Sequence, residues 1–249
     1  MTRLDLDRLD PDRVPLHVGL IMDGNGRWAQ SRNLPRTSGH AAGESVLFEC
    51  VEGALSIGLR WLSAYTFSTE NWSRHSEEVS FLMWFNEDIL IRRLDSMAEM
   101  GVRLHFCGDL ADPRIPDRNR KLMQKAEHRT ASNDRLHLVL AFNYGGRAEI
   151  AAAVRTLTAE VVAGLMSPEE ITETTIAERL HIPAMPAPDL IVRTSGEMRV
   201  SNFLLWGSAY SELIFVDTLW PDFGAQQLVD AVVEYQHRRR RFGGAETGR

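Results

Sequence analysis

The stretch Pro15-Leu16-His17-Val18-Gly19-Leu20-Ile21-Met22-Asp23-Gly24-Asn25-Gly26-Arg27-Trp28 decides how this chain is read. Its first half is a short apolar run with the length and branching of a buried parallel strand. Its second half breaks into Asp-Gly-Asn-Gly, which is turn chemistry. Arg27 and Trp28 then open a helix. A strand that ends in a glycine-bearing turn at a helix start is a natural seat for phosphate oxygens. Glycines let the backbone approach, N–H groups point outward, and the helix N-terminus favours negative charge. A carboxylate in that turn, Asp23, would repel a bare phosphate, and a divalent cation between the two removes the conflict. The expectation is a Mg²⁺-assisted phosphate or diphosphate site at the end of the first strand. The plainer alternative is an ordinary strand–helix turn with solvent-facing Asp and Asn. The stretch matches neither the Walker phosphate loop nor the dinucleotide glycine fingerprint.

Outward from there the pattern repeats. A helix is expected from Ala41 to about Ile57, where Ala42, Val46, Cys50 and Ala54 form one stripe and Gly58 stops it. Strands are expected at 60–65, 102–108, 136–142, 189–192 and 212–216, and helices at about 77–100, 113–132, 147–165 and 226–241. This alternation predicts a single α/β domain, a mainly parallel six-stranded sheet flanked by helices. Residues 1–14 read as a short amphipathic lead-in helix or arm, 15–244 as the domain and 245–249 as a tail. In such sheets ligands bind beyond the carboxyl ends of the strands. Four of those ends carry polar or glycine clusters: 23–28, 67–74, 143–147 and 193–202. Arg27, Arg36, Arg74, Arg193 and Arg199 lie in or beside them, with His40, and guanidinium groups bind phosphate oxygens bidentately. The apolar face of the long third helix (Val79, Leu82, Met83, Phe85, Ile89, Leu90) reads first as core. With Leu47, Cys50, Ala54, Val139 and Ala141 it could also wall a hydrophobic tunnel.

Composition narrows the class. The chain has 249 residues, 44% hydrophobic and 25% charged, with a net charge of −6, which argues against nucleic acid as a partner. The two cysteines, Cys50 and Cys107, have neither metal-ligand nor disulfide spacing. No apolar run approaches the roughly 20 residues of a membrane span, and the charge-alternating start is not a signal peptide. A cytoplasmic protein is expected, any membrane contact being peripheral. There is no Gly-x-Ser-x-Gly elbow, no His-Glu-x-x-His and no Asp-Asp-x-x-Asp.

Five segments taken together are specific: residues 22–29, 67–74, Asn143-Tyr144-Gly145-Gly146-Arg147, 193–206 and Leu219-Trp220-Pro221-Asp222-Phe223. Through them the chain closely resembles the cis-prenyltransferases, the undecaprenyl diphosphate synthase family, over about residues 15–244. The resemblance implies a homodimer with a hydrophobic tunnel. It also implies Mg²⁺-dependent condensation of isopentenyl diphosphate with an allylic diphosphate such as farnesyl diphosphate. By motif match, Asp23 would be the Mg²⁺-binding catalytic residue. Gly24, Asn25, Gly26, Arg27, Arg36 and His40 would hold the allylic diphosphate, with Trp28 packed near it. Ser68, Thr69, Glu70, Trp72 and Arg74 would line the substrate site, and Asn71 is the family's proposed proton acceptor. As an amide it is a poor base, so an orienting role suits it better. Arg193, Arg199, Val200 and Ser201 would grip isopentenyl diphosphate, and Glu212 would be a second Mg²⁺ ligand. Arg241-Phe242-Gly243 matches the family's tail motif, which reaches toward a partner subunit's site. Met198, His75 and Gly207 depart from common family residues. The product implied is a long-chain cis-polyprenyl diphosphate for a cell-envelope lipid carrier, although Trp84, Phe85 and Phe142 could narrow the tunnel. The alternatives are a short- or medium-chain (Z)-prenyl diphosphate synthase, a non-catalytic partner subunit and a generic nucleotide-binding domain.

Overall fold

The structure, a computed structural model, describes residues 4–238. The Arg241-Phe242-Gly243 motif, the 245–249 tail and the side chain of Phe85 lie outside the described residues. Among those described, one sheet is built from β1 (His17–Ile21), β2 (Trp61–Ser68), β3 (Val102–Cys107), β4 (Leu136–Tyr144), β5 (Leu190–Arg193) and β6 (Glu212–Phe215). The order is β3-β4-β2-β1-β5-β6, and every pairing is parallel. The helices between them are α1 (Asn25–Ser31), α2 (Arg36–Ser56), α3 (Ser76–Glu99), α4 (Asp117–Thr130), α5 (Gly146–Val162), the short α6 (Glu173–Ala177) and α7 (Ala225–His237).

The sheet has a core on each face. Leu138, Leu140 and Phe142 of β4 join Leu20, Leu62 and Ala64 against α2, α3, α4 and α7. Val139 and Ala141 of the same strand face the other way, with Ile21 and Ile191, under Phe203 and Leu204. The expectation that Val139 and Ala141 share a wall with Leu47 and Cys50 is therefore corrected. A strand that is apolar at every position carries no information about which parity faces which layer, since one residue of register exchanges the faces.

Three other boundaries shift for physical reasons. Helix α2 begins at Arg36, directly after Pro35 at its cap, rather than at Ala41. Its early glycines speak against a helix by propensity, but α1 packs so closely that a Cβ at Gly39 would lie 1.9 Å from the Asn25 carbonyl oxygen. Strands β2 and β4 run on to Ser68 and Tyr144, which pair across register irregularities at Phe67. Among the described residues of the N-terminal arm only Pro11–Arg13 forms a helical turn, so no amphipathic helix spans residues 4–14. The arm is held instead by α7: Asp5 N–H donates to Gln226 (2.8 Å) and Asp10 N–H to Gln236 (3.0 Å).

Candidate active site

The strand order makes the four polar loops neighbours. They leave the carboxyl ends of β4, β2, β1 and β5, which are consecutive in the sheet. The chain order reverses between β1 and β5, the switch point at which open parallel sheets bind ligands. Asp23 and Arg193 meet there. Asp23 Oδ2 accepts a 2.8 Å hydrogen bond from Arg193 Nη2, and Oδ1 accepts one of 2.6 Å from Gly24 N–H. The backbone of Asp23 is pinned as well: its N–H donates to Thr194 Oγ1 (2.9 Å), and its carbonyl accepts from Trp220 N–H (3.0 Å). Burial opposes ionisation of this carboxyl. The Arg193 hydrogen bond and the charges of Arg193 and Arg27 outweigh it, so Asp23 stays ionised below the usual carboxylate range.

Asp23 opens onto a cleft of about 690 Å³. Asn25, Gly26, Arg36 and His40 line it from the α1–α2 side. Ser68, Glu70, Asn71 and Arg74 line it from the end of β2, and Arg193 and Ser201 from beyond β5. Leu47, Leu82 and Ile89 form its apolar side, between α2 and α3. Gly26 lets the Arg36 guanidinium lie close against the α1 backbone, since a Cβ there would stand 2.7 Å from it and displace the side chain. The Arg193 side chain is nearly enclosed. Its Nη1 donates to Ser201 Oγ (2.6 Å) and to the Arg199 carbonyl, while its buried Nε finds no partner among the described residues. Asn25 Oδ1 is likewise buried and unpartnered. Such groups are costly to bury, and here both stand at the rim of one cleft. The loop after β5 is also strained, with positive φ at Ser195 (78°), Ser201 (46°), Asn202 (66°) and Leu204 (45°).

Asn202 ties three of the loops together. Its Oδ1 accepts from Arg147 N–H (2.8 Å), its carbonyl from Gly146 N–H (2.8 Å), and its Nδ2 donates to Glu70 Oε1 (3.0 Å). Arg147, Asn202, Glu44 and Asn86 line the cleft, although the motif match assigned them nothing. Arg147 was readable as the last residue of a glycine turn at a strand end. Glu44 and Asn86 lie on helix faces that the sequence does not orient.

Several other expected residues stand around the cleft rather than on its wall. Arg27 lies 3.5 Å from Asp23 Oδ1 and donates to the Ser195 carbonyl (3.1 Å). Trp28 turns outward: its Nε1 donates to Asp222 (2.7 Å), and the Arg32 guanidinium stacks 4.1 Å over its ring. Trp72 donates to Asn143 Oδ1 (2.7 Å) beneath Arg114. Arg199 pairs with Glu197 (2.5 Å). Thr69 and Val200 flank the wall without lining it. Asn71 lines the cleft, with its Oδ1 accepting from Ser68 N–H (3.0 Å). Glu212 opens β6, level with Leu190 at the amino end of the sheet, and pairs there with Arg238 (3.0 Å). Within this chain it does not meet Asp23. Trp84 is 57% exposed and turns away from the interior, and Phe142 is buried in the core, so neither narrows the cleft from the positions expected.

No group of three or more His, Cys, Asp or Glu stands together among the described residues, so these residues build no complete metal cage. Asp23, one accessible carboxylate in a cleft lined by arginines, matches the other way of holding Mg²⁺. That ion keeps several waters and is commonly bound through one or two carboxylates and substrate phosphate oxygens.

The comparisons agree with the geometry. The family model described as "Putative undecaprenyl diphosphate synthase" matches residues 21–243. A trans,polycis-polyprenyl diphosphate synthase ((2Z,6E)-farnesyl diphosphate specific) of Thermobifida fusca is 50% identical over 239 residues, 96% of this chain and 84% of that one. The decaprenyl diphosphate synthase of Mycobacterium tuberculosis H37Rv is 50% identical over 234 residues, 94% and 78% of the two chains. Among solved structures, lavandulyl diphosphate synthase from Lavandula x intermedia, in complex with dimethylallyl diphosphate, superposes with a TM-score of 0.90 at 33% identity. That match covers 93% of this chain and 99% of the other. A probable undecaprenyl diphosphate synthase from Campylobacter jejuni gives a TM-score of 0.76 at 29% identity, covering 92% and 98%. The chain belongs to the undecaprenyl diphosphate synthase family, the cis-prenyltransferases, and is a prenyl-transferring enzyme.

Proposed function

We propose that this enzyme condenses isopentenyl diphosphate with an allylic diphosphate, such as farnesyl diphosphate, in a Mg²⁺-dependent reaction that gives a long cis-polyprenyl diphosphate. The observation that carries the reading is the cleft itself. It holds an ionised Asp23, beside Arg193, at the switch point of the sheet, an arc of cations next to it, and Leu47, Leu82 and Ile89 on its apolar side. A diphosphate fits the first part and a hydrocarbon chain the second.

Mg²⁺ held by Asp23 and diphosphate oxygens would supply charge neutralisation as the allylic C–O bond breaks. The protein's own share is positioning and electrostatics. The glycine turn from Gly24 to Gly26, with Arg36 and His40, receives the allylic diphosphate. Arg193, Arg199, Val200 and Ser201 receive isopentenyl diphosphate. Both substrates are anions, and fixed guanidinium groups stabilise the charge that grows on the departing diphosphate. The isopentenyl double bond attacks C1 of the allylic chain, and a proton leaves as the new cis double bond forms. Asn71 has its carbonyl engaged by Ser68, so it orients a phosphate or water near that proton rather than taking it.

The protein works as a cytoplasmic homodimer whose membrane contact is peripheral, at product release. The family resemblance supports the dimer, and Glu212 becomes a Mg²⁺ ligand only if a second copy brings it to the site. Long products are supported by relatives named decaprenyl diphosphate synthase. The test is incubation with labelled isopentenyl diphosphate, several allylic primers and Mg²⁺, with products resolved by length. Long products are expected, abolished by chelation. Short products would establish the short-chain alternative, and no product from folded protein with any primer would refute the reading.

A further inference from the structure

Arg36, His40 and Arg74 reach the cleft from two segments with no covalent reason to meet. Arg36 is the first residue of α2 and His40 follows one turn later, whereas Arg74 precedes α3. All three line the cleft. Behind them, outside the lining, stands Glu78 in the first turn of α3, with its side chain only 11% exposed. Its Oε2 accepts from Arg36 Nε (3.3 Å), and its Oε1 from Arg74 Nη1 (2.9 Å) and from His40 Nε2 (3.4 Å). Among the described residues, these are the only hydrogen bonds those three side chains make.

Two guanidinium groups side by side repel one another, and each long side chain has several rotamers to lose when fixed. One partly buried carboxylate between them offsets the repulsion and fixes both. Burial opposes its ionisation, but Arg74 and Arg36 outweigh that and hold Glu78 charged. His40 is kept neutral by its burial and by the two arginine charges. A carboxylate only accepts, so the His40 hydrogen is on Nε2. The set therefore carries two positive charges against one negative, and its excess positive charge faces the cleft.

We propose that Glu78 is a positioning residue for the allylic diphosphate. It preassembles Arg36, His40 and Arg74 into one anion-binding surface from behind, without touching the substrate. The inference rests on the reading that this end of the cleft takes the allylic diphosphate. Preorganised donors bind an anion without the cost of ordering them at the moment of binding. Loss of Glu78 therefore weakens the allylic end alone. The isopentenyl end, organised by Arg193 and Ser201, has no hydrogen bond to Glu78.

The test compares Glu78→Ala, Glu78→Gln and wild type, each first confirmed folded by its thermal midpoint. Steady-state kinetics reads KM separately for the two substrates, and calorimetry with inorganic pyrophosphate and Mg²⁺ reads the anion surface directly. Glu78→Ala is expected to raise KM for the allylic diphosphate about tenfold and to weaken pyrophosphate binding by a similar factor. KM for isopentenyl diphosphate stays within about twofold, and kcat changes little. Glu78→Gln keeps an acceptor oxygen and is expected to recover part of the loss. The proposal is overturned if both KM values move together, if neither moves, or if Glu78→Ala binds pyrophosphate more tightly, which would make Glu78 a competitor rather than a support. If wild type makes no product, the functional reading fails, and the pyrophosphate comparison still decides the role of Glu78. A Glu78→Ala protein that does not fold leaves Glu78→Gln to carry the same comparison, with a smaller rise expected in the allylic KM alone.

Discussion

Both edges of the sheet carry polar side chains, and the two are built to opposite ends. At the amino edge, among the described residues, no buried side-chain N or O is left without a partner. His17 sits fully enclosed, its Nδ1 2.7 Å from the Pro186 carbonyl and its Nε2 2.7 Å from Ser63 Oγ. Trp61 stacks on His137 at 4.1 Å, and His137 hydrogen-bonds His105 at 2.9 Å. Glu212 closes on Arg238. At the carboxyl edge, Arg193 Nε and Asn25 Oδ1 go unanswered, and five non-glycine residues hold positive φ: Asn143, Ser195, Ser201, Asn202 and Leu204. Polarity alone thus does not mark a site. Unspent hydrogen-bonding capacity and stored backbone strain do, because they persist only where the rest of the fold over-determines them.

The largest test of that contrast is Asp23→Ala, which cuts kcat/KM by about 10³-fold or more. The fold survives, at a cost of about 1–3 kcal/mol because Arg193 loses a partner. Near-normal turnover in the folded variant would remove Asp23 from the chemistry. Next comes Gly39→Ala, which forces a Cβ against the Asn25 carbonyl oxygen and costs about 1–3 kcal/mol of stability. Denaturant midpoints read this directly, and an unchanged midpoint would mean that α1 gives way freely.

The amino edge should fail differently, through pH and without touching chemistry. Burial lowers His17 to about 4 and His105 to about 4, and lowers His137 as well. These groups are neutral in the fold, whereas the unfolded chain binds protons below about 6.5. Their contribution is complete above pH 6.5 and is lost as pH falls toward 4, about 3 kcal/mol for His17 alone. Urea midpoints between pH 7 and 4.5 should fall, and His17→Asn should flatten the slope. A slope unchanged in that variant would locate the acid sensitivity elsewhere. The smallest effect is expected at Trp28→Phe, which forfeits the Asp222 hydrogen bond for about 0.5–1.5 kcal/mol. If kcat/KM drops more than about tenfold, Trp28 turns inward during turnover and the boundary between site and surface must be redrawn.

What the sequence made legible follows from the same physics. Strand–helix alternation and the glycine turn at residues 23–26 are local signals, and they correctly placed the sheet and the cleft at its carboxyl edge. The facing of Val139 and Ala141 was not legible, because a doubly buried strand has no polar parity. The start of α2 was hidden because Gly39 speaks against a helix by propensity until α1 is seen lying against it. Glu78 looked like any acidic residue in a helix's first turn, a position favoured for reasons of its own. Only the convergence of Arg36, His40 and Arg74, distant in sequence, distinguishes it. The outward turn of Trp28 was equally invisible, since its partner Asp222 is almost two hundred residues away.

Asn202 has a consequence for movement. Because one residue grips the 68–74 loop, the turn into α5 and the loop after β5, these segments share a single mechanical coordinate. Displacing any one of them strains the hydrogen bonds that hold the other two, so a change at Asn202 would loosen three segments of the cleft at once.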